Sequence, residues 1–222
     1  MNNLAVGLSD LGDREAALAA AREAADLYRA LAAQHPDAFR PDLAQSLNTL
    51  ANVLSDLGDL EAALAAARDS VDLYRDLAAQ RPDAFLPDLA MSLNNLAGFL
   101  SALGDREAAL AAARESVDLR RALAAQRPDA FRPNLARSLW VLADMLDATD
   151  RPADGLAANA EAIATLTPQF LRLPQAFADM MTGMVQEYLE RAEKHATPPD
   201  PALLDPISPT LTALLGQAQP DP

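Results

Sequence analysis

Few side chains in this sequence have the types and spacing that covalent chemistry needs. The two histidines, His35 and His195, lie far apart, and the chain contains no cysteine. We find no glycine-rich phosphate loop, no metal-spaced cluster and no G-x-S-x-G nucleophile motif. His35 occupies a position that recurs as Arg81 and Arg127, so it is interpreted as an interchangeable surface residue. The sequence therefore predicts a protein that is not an enzyme and uses neither a cofactor nor a metal.

Composition narrows the classes of partner. The formal net charge of −14 disfavours nucleic acid, because phosphate binding requires a surface rich in lysine and arginine, and it also disfavours an anionic membrane. No apolar run approaches the roughly 18 residues of a membrane span, and no signal peptide is visible. Without cysteine there is no disulfide framework. These features predict a cytoplasmic protein whose partner is a peptide or another protein.

The chain repeats itself with a period of 46 residues. The dipeptide Gly-Asp recurs at Gly12, Gly58 and Gly104, and residues 47–92 match residues 93–138 at 35 of 46 positions without a gap. Residues 1–46 match similarly. From residue 139 the apolar spacing persists while the residue identities diverge. Self-similarity at such a period is typical of repeat proteins, in which neighbouring units bury each other's apolar faces.

Each unit is predicted to contain two helices. The first begins near Pro41-Asp42, or its equivalents Pro87-Asp88 and Pro133-Asn134, because proline suits a first helical position. Leucines at three- and four-residue spacing then form one apolar face. Gly58 ends this helix and Asp59 caps the next, which runs to about Ala79. Pro82 then ends this helix. Phe85 is predicted to fill the junction between units, as are Phe39 and Phe131.

These residues resemble the tetratricopeptide repeat (TPR). The match is carried by Leu47, Leu50-Ala51, Leu54, Gly58 and Ala63, and by the same positions one period later. The period exceeds the usual 34 residues and resembles the long-helix variety of kinesin light chains and bacterial signalling proteins. The resemblance covers roughly residues 1–166 and implies an all-α, right-handed α-solenoid of helix-turn-helix repeats with a concave inner face.

In proteins of this family the first helix of each repeat lines the groove that binds peptides or partner helices. The resemblance therefore assigns groove positions to Asn2, Gln45, Asn48, Asn52, Ser55, Met91, Asn94, Ser101, Arg137, Trp140 and Asp144. Asn2, Asn48 and Asn94 form a ladder, and asparagine can both donate to and accept from a peptide backbone. The alternative is that these amides only solvate an exposed stripe.

Trp140 replaces the asparagine of this ladder in the fourth unit and is the single tryptophan of the chain. It is predicted to be a selective anchor for a partner, with Arg137 beside it, because tryptophan and arginine are enriched at binding hot spots. The alternative is that Trp140 fills space against the atypical last unit.

The two ends of the chain differ. Met1 to Ala5 align with the middle of a repeat, so the first of four units (1–46, 47–92, 93–138 and 139–166) is predicted to be truncated, in a fragment of a longer protein or in a chain whose edge a partner covers. Leu4 and Leu8 would then form a self-association edge. Residues 167–196 are predicted to hold a C-terminal capping helix with an apolar stripe, and the proline-rich residues 197–222 to be loosely ordered, with a short helix near 209–217.

Two functions follow. The first is a protein-interaction scaffold that binds a peptide or partner protein in the concave groove, as the sensor or docking part of a longer bacterial signalling protein. The second is a self-assembly module that forms a homodimer through its N-terminal edge.

Overall fold

A computed structural model describes residues 2–217. In this part of the chain the regular elements are all helices, and they fall into two compact units, Met1–Leu119 and Arg120–Pro222. The helices are α1 Asn2–Asp10, α2 Arg14–Gln34, α3 Pro36–Asp56, α4 Leu60–Gln80, α5 Pro82–Ala102, α6 Arg106–Gln126, α7 Pro128–Ala148, α8 Pro152–Arg172, α9 Pro174–Lys194, α10 Pro201–Leu204 and α11 Ser208–Gln217. The boundary between the units lies inside α6.

The turn between the two helices of a repeat forms as predicted. After α3, Gly58 has a φ of +83°, which a residue without a side chain adopts at little cost. Its N–H donates to the carbonyl oxygen of Ser55 at 2.9 Å, and the Asp59 N–H donates to that of Leu54 at 3.0 Å. The Asp59 carboxylate then accepts from the Ala62 N–H at 3.2 Å and caps α4. Gly12 and Gly104 have the same left-handed conformation.

The predicted start of the first helix of each repeat is wrong by five residues. The first helices α3, α5 and α7 begin at Pro36, Pro82 and Pro128, so a single residue separates them from the preceding helix, and Pro41, Pro87 and Pro133 lie inside. Both prolines satisfy the local rule for a first helical position. The second proline lies one turn into the helix, where it has no N–H to donate to the carbonyl oxygen four residues earlier.

Alanine permits close packing between the helices of unit 1. Ala17 and Ala21 of α2 and Ala63 and Ala67 of α4 are fully buried. Where serine replaces an apolar residue, its hydroxyl is satisfied across the helix pair: the Ser70 Oγ donates to the carbonyl oxygen of Ala44 at 2.8 Å. Consecutive helices α1 to α5 therefore pack one against the next.

The junction phenylalanines differ in burial. Phe85 and Phe131 are each 8% exposed, and the guanidinium groups of Arg81 and Arg127 lie 4.8 and 4.9 Å from their ring centres. Phe39 is only half-buried and its ring lies 6.5 Å from that of Tyr28. The prediction that these residues fill the junction between repeats therefore holds best for Phe85 and Phe131.

Unit 2 continues the backbone period after the residue identities have diverged. The helices α7, α8 and α9 begin 46 residues after α5, α6 and α7, respectively. A residue with left-handed backbone conformation also recurs at the turn, although it is no longer glycine. Asp150 has a φ of 58° and Ala196 a φ of 50°. The predicted capping helix corresponds to α9. The capping helix was predicted to begin at residue 167. Residues 167–172 belong instead to α8, which continues through the exposed Pro168.

The stripe predicted for α9 is present, because Met181, Met184 and Tyr188 are buried. The segment after α9 contains the helices α10 and α11, and α11 packs on α9. Ile207 between them is fully buried, and the Asp200 N–H donates to the Tyr188 hydroxyl at 3.1 Å. Residues 197–217 are thus tied to α9, contrary to the expected loose order, and residues 218–222 lie outside the described part of the chain.

Candidate partner-binding surface

All the predicted groove residues lie on the first helices of the repeats. In unit 1 these are Asn2 on α1, Gln45, Asn48, Asn52 and Ser55 on α3, and Met91, Asn94 and Ser101 on α5; in unit 2 they are Arg137, Trp140 and Asp144 on α7.

Two of the repeated positions are exposed. Gln45 on α3, Met91 on α5 and Arg137 on α7 occupy the first, and Asn52 and Asp144 occupy the second. The two positions are seven residues apart, which is about two helical turns, so they share a face of the helix. These side chains are accessible to a partner. Ser55 and Ser101 are half-buried, as are Asn2 and Asn94.

The asparagine ladder is not a free stripe, which corrects the prediction for Asn48. Asn48 is only 6% exposed, and its Oδ1 accepts a hydrogen bond from Asn95 Nδ2 at 3.1 Å. This hydrogen bond therefore connects residues 47 positions apart, one more than the repeat period. The Ser9 hydroxyl and the Asp56 carboxylate of α1 and α3 make the same kind of contact at 3.0 Å. Asn48 holds α3 to α5 and does not offer its oxygen to a ligand.

Unit 2 uses the same 47-residue register for a different chemistry. The Trp140 indole N–H donates to Glu187 Oε2 at 2.7 Å, and the Arg191 guanidinium contacts Asp144 Oδ1. Both contacts join α7 to α9. The indole ring also lies against Gly183, where a Cβ atom would come within 2.8 Å of the ring. At this position the first helices of the earlier repeats have Gln45, Met91 and Arg137. Glycine at the same position of α9 makes room for the ring.

Arg191 is the centre of a polar network that the sequence analysis missed. It is only 8% exposed, and its Nε contacts Asp147 Oδ2 at 2.7 Å and its Nη1 contacts Glu187 Oε2 at 2.9 Å. Nη1 also donates to Asn159 Oδ1, and the Asn159 amide donates to the Met184 carbonyl oxygen at 2.9 Å. Each of the three guanidinium nitrogens thus meets an acceptor inside unit 2.

A signal for this network was present in the sequence. At the position of Arg191 the earlier repeats have buried apolar residues, Val53, Phe99 and Met145. A charged residue at a core position of a repeat requires partners, because an unpaired buried charge is costly. The substitution is visible only when α9 is aligned with the first helices of the earlier repeats. A helix interpreted as a cap has no equivalent positions to compare.

The network carries excess negative charge. Three carboxylates, those of Asp144, Asp147 and Glu187, surround one guanidinium. Burial and the charge of Glu187 raise the pKa of Asp144 to about 6, although Arg191 opposes the shift. Burial alone would lower the pKa of Arg191, but the hydrogen bond to Asp147 and the charge of Asp144 raise it overall. One arginine therefore does not compensate all three acids.

A groove lies between α7 and α9 beside this network. Its volume is about 350 Å³, and it is lined by Arg137, Trp140, Val141, Asp144, Met180 and Glu187. Trp140 is half-buried, so that it both packs on α9 and lines the groove. We call this feature the α7–α9 groove. Its lining combines apolar and aromatic surface with the carboxylates of Asp144 and Glu187.

The two residues of the predicted self-association edge differ. Leu4 is 58% exposed on α1, as expected for a docking residue. Leu8 packs instead against the buried cluster of Ala17, Ala21 and Val53. Leu8 thus contributes to the core of unit 1, because it faces α2 and α3.

Two further features of residues 2–217 concern metal binding and membrane insertion. Within this range, no three His, Cys, Asp or Glu side chains are grouped so that they could hold a metal ion. Likewise, none of the helices described above is both long and apolar enough to cross a membrane. His35 is exposed at the start of α3.

Comparison with known proteins identifies the repeat. A profile of the tetratricopeptide repeat matches residues 1–37, 43–78 and 89–126. The fold is similar to the nearly identical TPR-like repeats provisionally assigned to a kinesin light chain of Podosopora anserina, with a TM-score of 0.58, 16% identity and coverage of 99% of this chain and 95% of that one. It is also similar to BtubC (BKLC) from P. vanneervenii, with a TM-score of 0.53, 16% identity and coverage of 94% of both chains.

A search of curated proteins gave no match. The structural matches confirm the predicted fold class, an all-α solenoid of helix-turn-helix repeats with a C-terminal helix. Repeats of this kind generally mediate protein–protein interaction and typically form non-catalytic scaffolds. The chain belongs to the tetratricopeptide repeat family.

Proposed function

We propose that this protein is a non-catalytic scaffold that binds a peptide or partner protein along the first helices of its repeats. The observation that carries the proposal is the recurrence of accessible side chains at the same positions of successive first helices. Gln45, Asn52 and Met91 provide them in unit 1, and Arg137 and Asp144 in unit 2. Within unit 1, exposed side chains of two neighbouring first helices can contact one extended partner, and α7 offers a separate set of contacts in unit 2.

The contacts offered in unit 1 are generic. Gln45 and Asn52 each carry a donor and an acceptor, which suits a peptide backbone, and the half-exposed Met91 is an adaptable apolar contact. Unit 2 offers charged and aromatic contacts instead. We therefore assign general affinity to α3 and α5 and selectivity to α7. A cytoplasmic docking role within a longer signalling protein is the wider setting that we propose.

A selection experiment tests the scaffold function. The full chain is immobilised and used to select peptides from a random display library. Replacing Gln45, Asn52 and Met91 together with alanine should reduce the binding of selected peptides at least about tenfold if each contact contributes about 0.5–1 kcal/mol. The matched control replaces exposed residues of the second helix α4, Arg68, Asp72 and Asp76, with alanine. Equal losses for the two triple variants, or a library that yields no binder, would reject the proposal.

The alternative is self-assembly, which the exposure of Leu4 and of Val6 on α1 supports. A homodimer through this surface should dissociate when Leu4 is replaced by glutamate, as measured by sedimentation velocity over a range of concentrations. Leu27→Glu, at an exposed leucine of α2, is the control. Leu8 is unsuitable for this test because its replacement would disturb the core. A wild-type chain that stays monomeric at high concentration rules out this alternative.

A further inference from the structure

Several residues of unit 2 depart together from the repeat pattern around the α7–α9 groove. Trp140 replaces asparagine, Gly183 replaces a long side chain, and Arg191 replaces a buried apolar residue. Asn159 replaces the alanine found at positions 67 and 113. These changes contact one another, since the ring of Trp140 lies on Gly183 and Arg191 bonds to Asn159. Stacking alone does not need them, because the helices of unit 1 already stack with the other residue types at these positions.

The groove that results is lined by two chemically different kinds of side chain. Val141, Met180 and the indole ring of Trp140 provide apolar and aromatic surface, and the carboxylates of Asp144 and Glu187 lie beside it. Glu187 is already engaged by Trp140 and Arg191. Asp144 is accessible, with 49% of its side chain exposed, and among the described residues it accepts a hydrogen bond only through Oδ1, from Arg191.

The residues around the α7–α9 groove carry more negative than positive charge, which favours binding of a cation. Three carboxylates share the single guanidinium of Arg191, and residues 139–222 carry a net charge of −8 in the sequence. Burial is the main cause of the raised pKa of Asp144, and the negative charge of Glu187 adds to it. A positive group placed next to Asp144 would oppose this shift. Arg137 also lines the groove, but its side chain is exposed and it makes none of the contacts to Asp144 described above.

We propose that the α7–α9 groove binds an arginine or lysine side chain of a partner segment, with an apolar neighbour of that side chain packed on Trp140 and Met180. A basic side chain suits both kinds of lining side chain, because its methylene stem is apolar and its head is charged. The face of an indole ring is also the aromatic surface that attracts cations most strongly. This inference rests on the proposed scaffold function, since it names the chemistry of the partner for unit 2.

The test uses the full chain and three short synthetic peptides. The probes are acetyl-Leu-Arg-Leu-amide and the same peptide with glutamine or glutamate in place of arginine. Binding is followed by the emission of the single tryptophan and by the NMR signal of its indole N–H, which donates to Glu187. The arginine peptide should bind about tenfold more tightly than the glutamine peptide, and the glutamate peptide more weakly still.

Two variants locate the effect. Asp144→Asn keeps the oxygen that Arg191 contacts and should weaken the arginine peptide about fivefold. Glu161→Gln is the control, because this acid of α8 is similarly exposed and pairs with Arg121 away from the groove residues. Circular dichroism melting of each variant establishes that it is folded.

Three results would overturn the inference: equal affinity for the arginine and glutamine peptides, tighter binding of the glutamate peptide through Arg137, or an indole signal that no peptide moves. The scaffold proposal could survive any of them, because peptides selected from the library can still depend on Gln45, Asn52 and Met91. Conversely, a library that yields no binder would reject the scaffold while the arginine titration still reported on the groove.

Discussion

The contact between neighbouring first helices is made in both units at the same register but with different chemistry. In unit 1 a neutral amide pair, Asn48 and Asn95, joins α3 to α5. In unit 2, α7 meets α9 through Trp140 and Glu187 and through Asp144 and Arg191. The helix period is unchanged, so the backbone arrangement does not dictate which side chains make the contact. Divergence of the residue identities after residue 139 therefore reflects a new set of contacts on a conserved frame.

Removing apolar packing from unit 1 should have the largest effect. Phe85→Ala empties a site that is 8% exposed and should lower the free energy of unfolding by about 3–4 kcal/mol. Phe39→Ala is the matched control and should lose less, because Phe39 is half-buried. Urea denaturation followed by circular dichroism measures both. A loss below about 1 kcal/mol for Phe85→Ala would show that unit 1 does not depend on its junction.

Breaking the polar network of unit 2 should come next. Arg191→Ala leaves three carboxylates facing one another and should lower the free energy of unfolding by about 3 kcal/mol, because it removes the cation that all three contact. Denaturation monitored by Trp140 fluorescence reports on this unit directly.

The sharper form of this experiment gives the positions of the polar network the residue types of the earlier repeats. Arg191→Met combined with Asp144→Asn, Asp147→Ser, Glu187→Asn and Asn159→Ala should be close to wild type in stability, because apolar replacement of a buried ion cluster is often neutral or stabilising. If the combined variant is as unstable as Arg191→Ala, the network contributes more than the pairing of its charges.

The amide pair of unit 1 should be worth less than the network of unit 2. Asn48→Ala removes one neutral hydrogen bond and leaves the Asn95 amide without this acceptor, so a loss of about 1 kcal/mol is expected. Asn52→Ala, at an exposed position of the same helix, should change stability by less than about 0.5 kcal/mol. Urea midpoints of the two variants decide, and equal losses would place Asn48 on the surface.

The smallest effect is a pH dependence confined to unit 2. The folded pKa of Asp144, about 6, lies above its ordinary value, so ionisation of this group opposes folding above pH 6 and the opposition disappears as the pH falls below about 4. Asp144→Asn should therefore gain up to about 1 kcal/mol over wild type at pH 7.5, reduced by solvent screening at this half-exposed side chain, and lose that advantage at pH 4. Melting curves at both pH values measure it, with Glu161→Gln as control; an advantage that grows on acidification would reverse the sign.

What the sequence could predict depended on the range of the interaction. Gly58 and Asp59 end and begin helices through contacts within four residues, so their roles were readable. Pro36 and Pro41 satisfy the same local rule, and the choice between them is made by the packing of the whole helix. The pairing of Asn48 with Asn95 rather than with Asn94 depends on how successive helices stack, and the repeat period does not contain that offset.

The one-residue joint between the second helix of a repeat and the first helix of the next has a consequence for insertions and deletions. Each of these joints is a single residue between two 21-residue helices: His35, Arg81 or Leu173. The connection is therefore too short to absorb an added or a missing residue. An added residue would rotate the following helix by about 100° about its axis and turn its buried leucines outward. Natural length variation should therefore be tolerated at the glycine turns but enter at these joints only as whole repeats, gained or lost by duplication of the coding sequence.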